Sequence, residues 1–306
     1  MNIYIIFIVI CVILVITGFF VLGLDKIFSK PLTLNDKTVQ DTTVEDSSIQ
    51  NTNHKDSIKA YDDESLFSVG TNKEDYVGKS ESGVEGYSRY VLTPKEENRQ
   101  LYNSLGSKNS TQSTVVIIPT LTFLAYSEHG FYDYYGGKCN EECLTVNATV
   151  EASKLKFLYS SSVMAYQVFD ILGYDEITDV DVDRDPSILA KYDKVILLHN
   201  EYVTKKMFDA ITHHPKVIYL YPNALHAEVL VDYENNSITL LRGHGYPEKS
   251  IENGFDWKYD NTHPYEFDSE CKNWEFYKID NGLMLNCYPE NIIYDNLKLL
   301  QTIRDL

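Results

Sequence analysis

The sequence predicts an α/β protein: a parallel sheet with antiparallel hairpin additions, preceded by one transmembrane helix and a disordered tether. Three observations carry this reading. Short apolar runs alternate with helix-like stretches over residues 115–220. Beyond them, two pairs of strand-like segments flank turn signals. An almost entirely apolar run fills residues 3–24.

The elements follow in chain order. No charged side chain precedes Asp25. At ~1.5 Å per residue, 3–24 reaches across a ~30 Å hydrocarbon core as a helix. No small-x-small cleavage site precedes Asp25, so an uncleaved anchor in the lipid bilayer is expected rather than a removed signal peptide. Residues 25–112 are rich in Asn, Thr, Ser, Asp and Lys and read as a polar, largely disordered linker. Within it, Thr93-Pro94-Lys95-Glu96 suits the first turn of a short helix that docks on the domain. The domain spans 113–306. Val115–Ile118 reads as a buried strand closed by Pro119. A polar, aromatic loop covers 126–143. Residues 155–172 pattern as a helix stopped by Gly173. A strand at 176–182 and a short helix opened by Asp185-Pro186 come next. Then follow a strand at 195–198, a helix at 203–213 and a strand at 217–220. Such alternation implies parallel strands with right-handed crossovers. Glu234-Asn235-Asn236 and Asp280-Asn281-Gly282 then mark two hairpins, and 291–306 reads as a closing amphipathic helix. The whole predicts a flavodoxin-like core with an antiparallel addition at one edge.

Charge and cysteines bound the function. The formal net charge is −18. Nucleic acid needs a positive footprint, so nucleic acid is excluded as a partner. Outside the apolar run there are four cysteines, Cys139, Cys143, Cys271 and Cys287. An even number suits disulfides in an exported domain. The local pairing, Cys139 with Cys143 and Cys271 with Cys287, is favoured among three connectivities. The spacing does not fit a zinc ribbon. Sequons at Asn109, Asn147 and Asn235 are expected glycosylation sites and also point outward. Lys26 and Lys30 favour the opposite orientation. An extracytoplasmic domain is expected, with the cytoplasmic orientation left open.

Two H-x-E steps follow predicted strands: His199-Asn200-Glu201 and His226-Ala227-Glu228. The first predicted strand leads to Tyr126, Glu128 and His129. In a parallel sheet these strand ends share one rim, where such folds bind ligands. His199, Glu201, His226 and Glu228 are thus candidate acid–base groups. His and carboxylate oxygen are common ligands of zinc, manganese and iron. A plain solvated edge is the alternative. No G-x-S-x-G or G-x-C-x-G elbow is present. Gly243-His244-Gly245 reads as a turn or bulge in preference to a histidine aimed at the rim. Tyr132, Tyr134 and Tyr135 read as a packing interface in preference to a sugar- or protein-contacting surface.

The same residues carry a family resemblance. Thr122-Phe-Leu-Ala-Tyr126-Ser resembles the T-x-x-A-Y-N segment of the C-terminal domain of the N,N-dimethylformamidase large (beta) subunit. His199-Asn-Glu-Tyr202 is similar to its H-P-E-Y step. Tyr221-Pro-Asn-Ala-Leu-His226-Ala-Glu228 is similar to its G-G-N-x-x-Y-W segment, with Asn223 kept. Ala165-Tyr166-Gln through Gly173-Tyr174 resembles its helix. The likeness covers roughly 113–245. It implies a class I glutamine amidotransferase-like fold and an iron, or another divalent metal, held by tyrosines and a carboxylate. Tyr202 and Tyr166 match as metal ligands, with Glu201 and Glu228 as carboxylate candidates. Tyr221-Pro222 replaces the glycine pair and His226-Ala227 the aromatic pair, which reshapes the crevice.

Two functions compete. One is an envelope module that binds glycan or protein without catalysis. The other is a metal-dependent hydrolase acting on amide bonds.

Overall fold

The computed structural model describes residues 65–72, 89–127, 130–147, 162–260, 268 and 270–306. All fall within one compact unit, Ser57–Leu306. A two-stranded antiparallel sheet pairs β1 (Phe67–Asn72) with β2 (Arg89–Pro94), and α1 (Arg99–Leu105) follows. The chain then runs through β3 (Thr114–Ile118), α2 (Thr120–Ala125), α3 (Phe131–Tyr135), β4 (Thr145–Asn147) and α4 (Val163–Ile171). Next come β5 (Asp175–Thr178), α5 (Asp179–Arg184), β6 (Lys194–Leu197), β7 (Tyr202–Val203), α6 (Lys205–His213) and β8 (Val217–Tyr219). The hairpins β9 (Ala227–Asp232) with β10 (Ser237–Arg242) and β11 (Phe276–Ile279) with β12 (Gly282–Leu285) precede α7 (Leu297–Asp305).

The main sheet has the order β11-β12-β8-β6-β3-β5. Every neighbour pair is parallel except β11 with β12. Numbered by appearance, the parallel strands lie 2-1-3-4-5, the flavodoxin order. The order reverses direction between β3 and β6. Their carboxyl ends therefore flank the crevice at which such sheets bind ligands.

β3, β6 and β8 are buried on both faces, which is why they read as continuous apolar runs. Alternate residues feed two layers. Val115, Ile117, Val195, Leu197, Val217 and Tyr219 pack with Met207 and Ile211 of α6. Val116, Ile118, Ile196, Leu198 and Ile218 pack with Val168 of α4 and Leu299 and Ile303 of α7. Fully burying each such side chain contributes about 1.5–3 kcal/mol. Thr204 caps α6 by accepting the Met207 amide at 3.3 Å. Lys194, 1 % exposed, donates from Nζ to the Ile303 and Arg304 carbonyls at the end of α7. Gly282 is required where β12 meets β8, since a Cβ would lie 1.8 Å from the Val217 carbonyl oxygen.

Several expectations change. The strand predicted at 176–182 is β5 followed by α5: Thr178 accepts the Asp181 amide and Asp181 bonds back in a capping box, which starts a helix there. The β9–β10 hairpin does not extend the main sheet. It joins β4 and β7 in a separate four-stranded sheet of order β4-β10-β9-β7. Within the stretch predicted as linker, β1, β2 and α1 pack on the α4–α7 layer, with Phe67 and Leu105 at 0 % and 1 % exposure. Pro94 ends β2, and the helix starts later.

The transmembrane helix is corrected. Among the described residues no helix is long and apolar enough to cross a membrane. The longest have nine residues, ~14 Å at ~1.5 Å each. Residues 3–24 lie outside the described residues. The supported fold is mixed α/β.

Two disulfides form, Cys139–Cys143 and Cys271–Cys287. They accord with an oxidising compartment. The second has a sequence separation of 16, and closing such a loop stabilises by about 3 kcal/mol. Replacing Cys271 and Cys287 together with Ala is expected to cost that amount in urea unfolding. A loss no larger than for the Cys139/Cys143 pair, of separation 4, would contradict the loop argument.

Candidate functional site

The site is built where β3 and β6 end. Asp179, at the start of α5, accepts the Leu121 amide at 2.9 Å and so caps α2. Thr122 on α2 accepts the Glu201 and Tyr202 amides at 3.0 and 3.2 Å through Oγ1. This fixes the loop after β6 against α2, and Tyr126 closes that helix.

Glu201 is the centre. It is fully buried. Oε2 accepts the Tyr126 hydroxyl at 2.7 Å and lies 3.3 Å from His199 Nε2. Oε1 lies 2.6 Å from His244 Nε2 and 3.4 Å from the Tyr132 hydroxyl. Tyr132 donates to the Tyr126 hydroxyl at 2.7 Å. Burial opposes ionisation of Glu201. The close approach of His199 and the attraction of His244 outweigh it and hold the carboxyl well below the usual range. Burial, then the Glu201 charge, push the Tyr126 and Tyr202 phenols well above theirs.

Each histidine is held from behind. His199 donates its backbone N–H to Ser162 Oγ at 2.9 Å, and its Nδ1 lies 3.2 Å from the Tyr288 hydroxyl. Its ring stacks on Tyr221 at 5.5 Å. Ser162 has φ 65°, a left-handed conformation at the start of α4. His244 sits in three successive left-handed residues, Gly243 (φ 125°), His244 (φ 51°) and Gly245 (φ 78°). A Cβ at Gly243 would lie 2.9 Å from Ala227. Such backbone is rare for a non-glycine residue and clusters at functional sites. His226 Nδ1 lies 3.0 Å from Asp260 Oδ2, and its ring is 4.3 Å from that of His244.

The predicted residues divide. His199, Glu201 and Tyr202 come together, and His226 joins through His244. Tyr202 is buried, stacked on His244 at 5.5 Å, with its hydroxyl beside those of Tyr132 and Tyr135 but in no well-aligned hydrogen bond. Glu228 is half-buried in β9, paired in register with Arg242. Tyr166 packs in the α4–α7 layer, whereas Tyr202 packs in the other. Glu128 and His129 lie outside the described residues. Asn147 and Asn235 are exposed, and Asn109 sits in a short 3₁₀ turn. Tyr126, Tyr132 and His244 are the additions. The signals for them were the T-x-x-A-Y segment, the Tyr-rich loop and Gly-His-Gly.

An open cleft of about 1240 Å³ leads to the cluster. Tyr132, Tyr134, Tyr135 and His244 line it, with Asn140, Glu141, Glu142 and Lys249 at its rim.

Two buried carboxyls behind the site predict a pH dependence. Burial raises Asp179 from 3.8 to about 7 and Glu290 from 4.5 to about 7. The folded state therefore binds more protons than the unfolded state between about pH 4 and 7, so stability falls as pH rises through that window. The unfolding midpoint is expected to be higher at pH 5.5 than at pH 8. Asp179→Asn should flatten that slope; a midpoint that rises with pH would refute the assignment.

The described fold is a parallel α/β sheet of flavodoxin order with an acid–histidine–tyrosine cluster at its strand-order reversal, the place where sheets of this kind bind ligands. The family model described as N,N-dimethylformamidase beta subunit-like, C-terminal, matches residues 76–223, and the chain carries a domain of this family. The match takes in Tyr126, Tyr132, His199, Glu201 and Tyr202, and ends at Asn223. No curated protein matches the chain.

Proposed function

We propose that this domain hydrolyses carboxamide C–N bonds at Glu201. The carrying observation is a fully buried carboxylate kept ionised by two histidines, faced by two phenol hydroxyls, with His244 linking it to a cleft. Buried ionisable groups with strongly perturbed pKa values cluster at functional sites. The desolvation of Glu201 has no structural use that an apolar residue would not serve better.

The residues fit an iron of the kind the family implies. Among the described residues no three His, Cys, Asp or Glu side chains assemble as a metal cluster. Among the described residues a metal here would draw on phenol oxygen, since the Tyr126 and Tyr132 oxygens converge with Glu201. Buried Tyr202 and Tyr135 hydroxyls without aligned hydrogen bonds add to that oxygen-rich set. Hard oxygen donors suit ferric iron. When bound, it would supply Lewis-acid polarisation of the amide carbonyl. His244, 19 % exposed at its side chain, is placed to exchange a proton with the departing amine. His199, at 2 %, holds Glu201 in place from the dry side.

The two disulfides support an extracytoplasmic site for this activity. The test is amine release from simple carboxamides by the purified full chain, with and without added iron, over pH 5–9. Absence of release under all these conditions would overturn hydrolysis and leave a binding module.

A further inference from the structure

We propose that the cleft binds a chain of N-acetylated sugars and presents an acetamido group to His244, the cleft residue in contact with Glu201; this rests on the hydrolase reading above. The first argument is size. The cleft, about 1240 Å³, exceeds the ~300–1,000 Å³ of sites for drug-sized ligands. A simple dimethylated amide would leave most of it filled with water.

The second argument is the wall. Tyr132 stacks one face on Tyr126 at 4.2 Å, yet is 37 % exposed and lines the cleft. Tyr135 stands edge-on to the ring at 5.4 Å, and the exposed part of Tyr132, steadied by the hydroxyl bond to Tyr126, is the surface offered to the cleft. Tyr134 and Tyr135 continue the aromatic wall from the same helical turn, braced edge-to-face at 5.8 Å. Aromatic rings with a polar tip suit ligands with one apolar face and many hydroxyls. Asn140, Glu141, Glu142 and Lys249 at the rim are exposed and offer both donors and acceptors to such hydroxyls.

The third argument is what the walls lack. The described lining residues lie in α3, a 3₁₀ helix and turns, so among them an extended peptide meets no strand edge to pair with. A net charge of −18 and two glutamates on the rim disfavour a polyanion.

The last argument is registration. The Tyr132 hydroxyl lies 3.4 Å from Glu201 Oε1, and His244 touches both the cleft and Glu201. A ring stacked on Tyr132 therefore carries its substituents to His244, the cleft residue that contacts the buried carboxylate. In the reaction, water oxygen bonds to the acetyl carbon and the C–N bond breaks. The protons of water pass to the sugar nitrogen and to solvent, leaving acetate and a free amine.

The experiment uses the full chain and the hexamer of N-acetylglucosamine, with the neutral glucose hexamer as comparison. Calorimetry should show the acetylated hexamer binding and the glucose hexamer binding at least about fivefold more weakly, a preference of about 1 kcal/mol for the amide contact. Tyr132→Ala should weaken binding about tenfold, and Tyr132→Phe should restore most of it, because stacking survives. Equal binding of both hexamers, no binding, or Tyr132→Ala and wild type binding alike would overturn the proposal. The comparison of hexamers needs no variant, so a misfolded Tyr132→Ala leaves the test intact. Acetate release is measured alongside. Hexamer binding without acetate release upholds the sugar site and sinks the hydrolase reading. Cleavage of simple amides without hexamer binding does the reverse.

Discussion

Glu201→Gln is expected to abolish amide hydrolysis, lowering the rate roughly a hundred- to a thousand-fold, the usual loss when one preorganised electrostatic group is removed from a dry site. Gln keeps the shape and can still accept the Tyr126 hydroxyl. What it removes is the charge that His199 and His244 face. The fold should survive, because a neutral amide is easier to bury than a carboxylate. The pH dependence of stability gives an independent reading. The folded-state pKa of Glu201 is depressed. Its contribution to stability is therefore present above the unfolded value of about 4.3 and is lost as pH falls through the folded one. The acid limb of the unfolding curve should be shallower in Glu201→Gln than in the wild type. A variant that keeps full activity, or an acid limb identical to wild type, would remove Glu201 from the centre of the site.

Why Glu201 was legible in the sequence, while some of its partners were not, follows from the range of each signal. Val195–Leu198 and Val217–Leu220 announce buried strands because both faces are covered, so no polar alternation interrupts them. A parallel sheet places their ends on one rim by topology alone. The two H-x-E steps share a spacing but not a fate. His199 and Glu201 lie in the short loop between β6 and β7, which turns both side chains into contact at 3.3 Å. Glu228 is drawn into β9 by pairing with Arg242, and only His226 reaches the cluster. No local pattern reports such a strand boundary. His244 depends on three consecutive left-handed residues, and a Gly-His-Gly string is equally what an ordinary turn needs. Tyr132 of α3 meets Tyr126 at the end of α2 in space, so its role is a matter of packing. Tyr166 sits on a helix that covers the opposite face of the sheet from Tyr202, a distinction that helical periodicity cannot make. The β1–β2 hairpin was hidden for another reason. Phe67 and Leu92 are isolated apolar residues in polar sequence, and they are buried only because α4 and α1 offer a surface.

Removing His199 is expected to destabilise the fold by about 3–5 kcal/mol in His199→Leu, because it leaves a buried carboxylate short of a partner. Leucine fills much of the same volume in a site 2 % exposed, so the cost is electrostatic more than steric. The argument makes a sharper claim about the double variant. In His199→Leu with Glu201→Leu, the charge that needed compensation is gone, and much of the loss should return. The bond to Tyr288 and the stacking on Tyr221 remain lost, so recovery is partial. Denaturant midpoints of the wild type, both single variants and the double variant close the cycle. Residues in one such network couple by about 0.5–3 kcal/mol, and the upper half of that range is expected here because both groups are dry. If the two single losses instead add within about 0.5 kcal/mol, as they do for distant sites, then His199 does not stabilise the Glu201 charge. The depressed pKa of Glu201 would then have to come from His244 alone. That residue is partly exposed at the cleft, so the carboxylate would respond to whatever binds there instead of being fixed before binding.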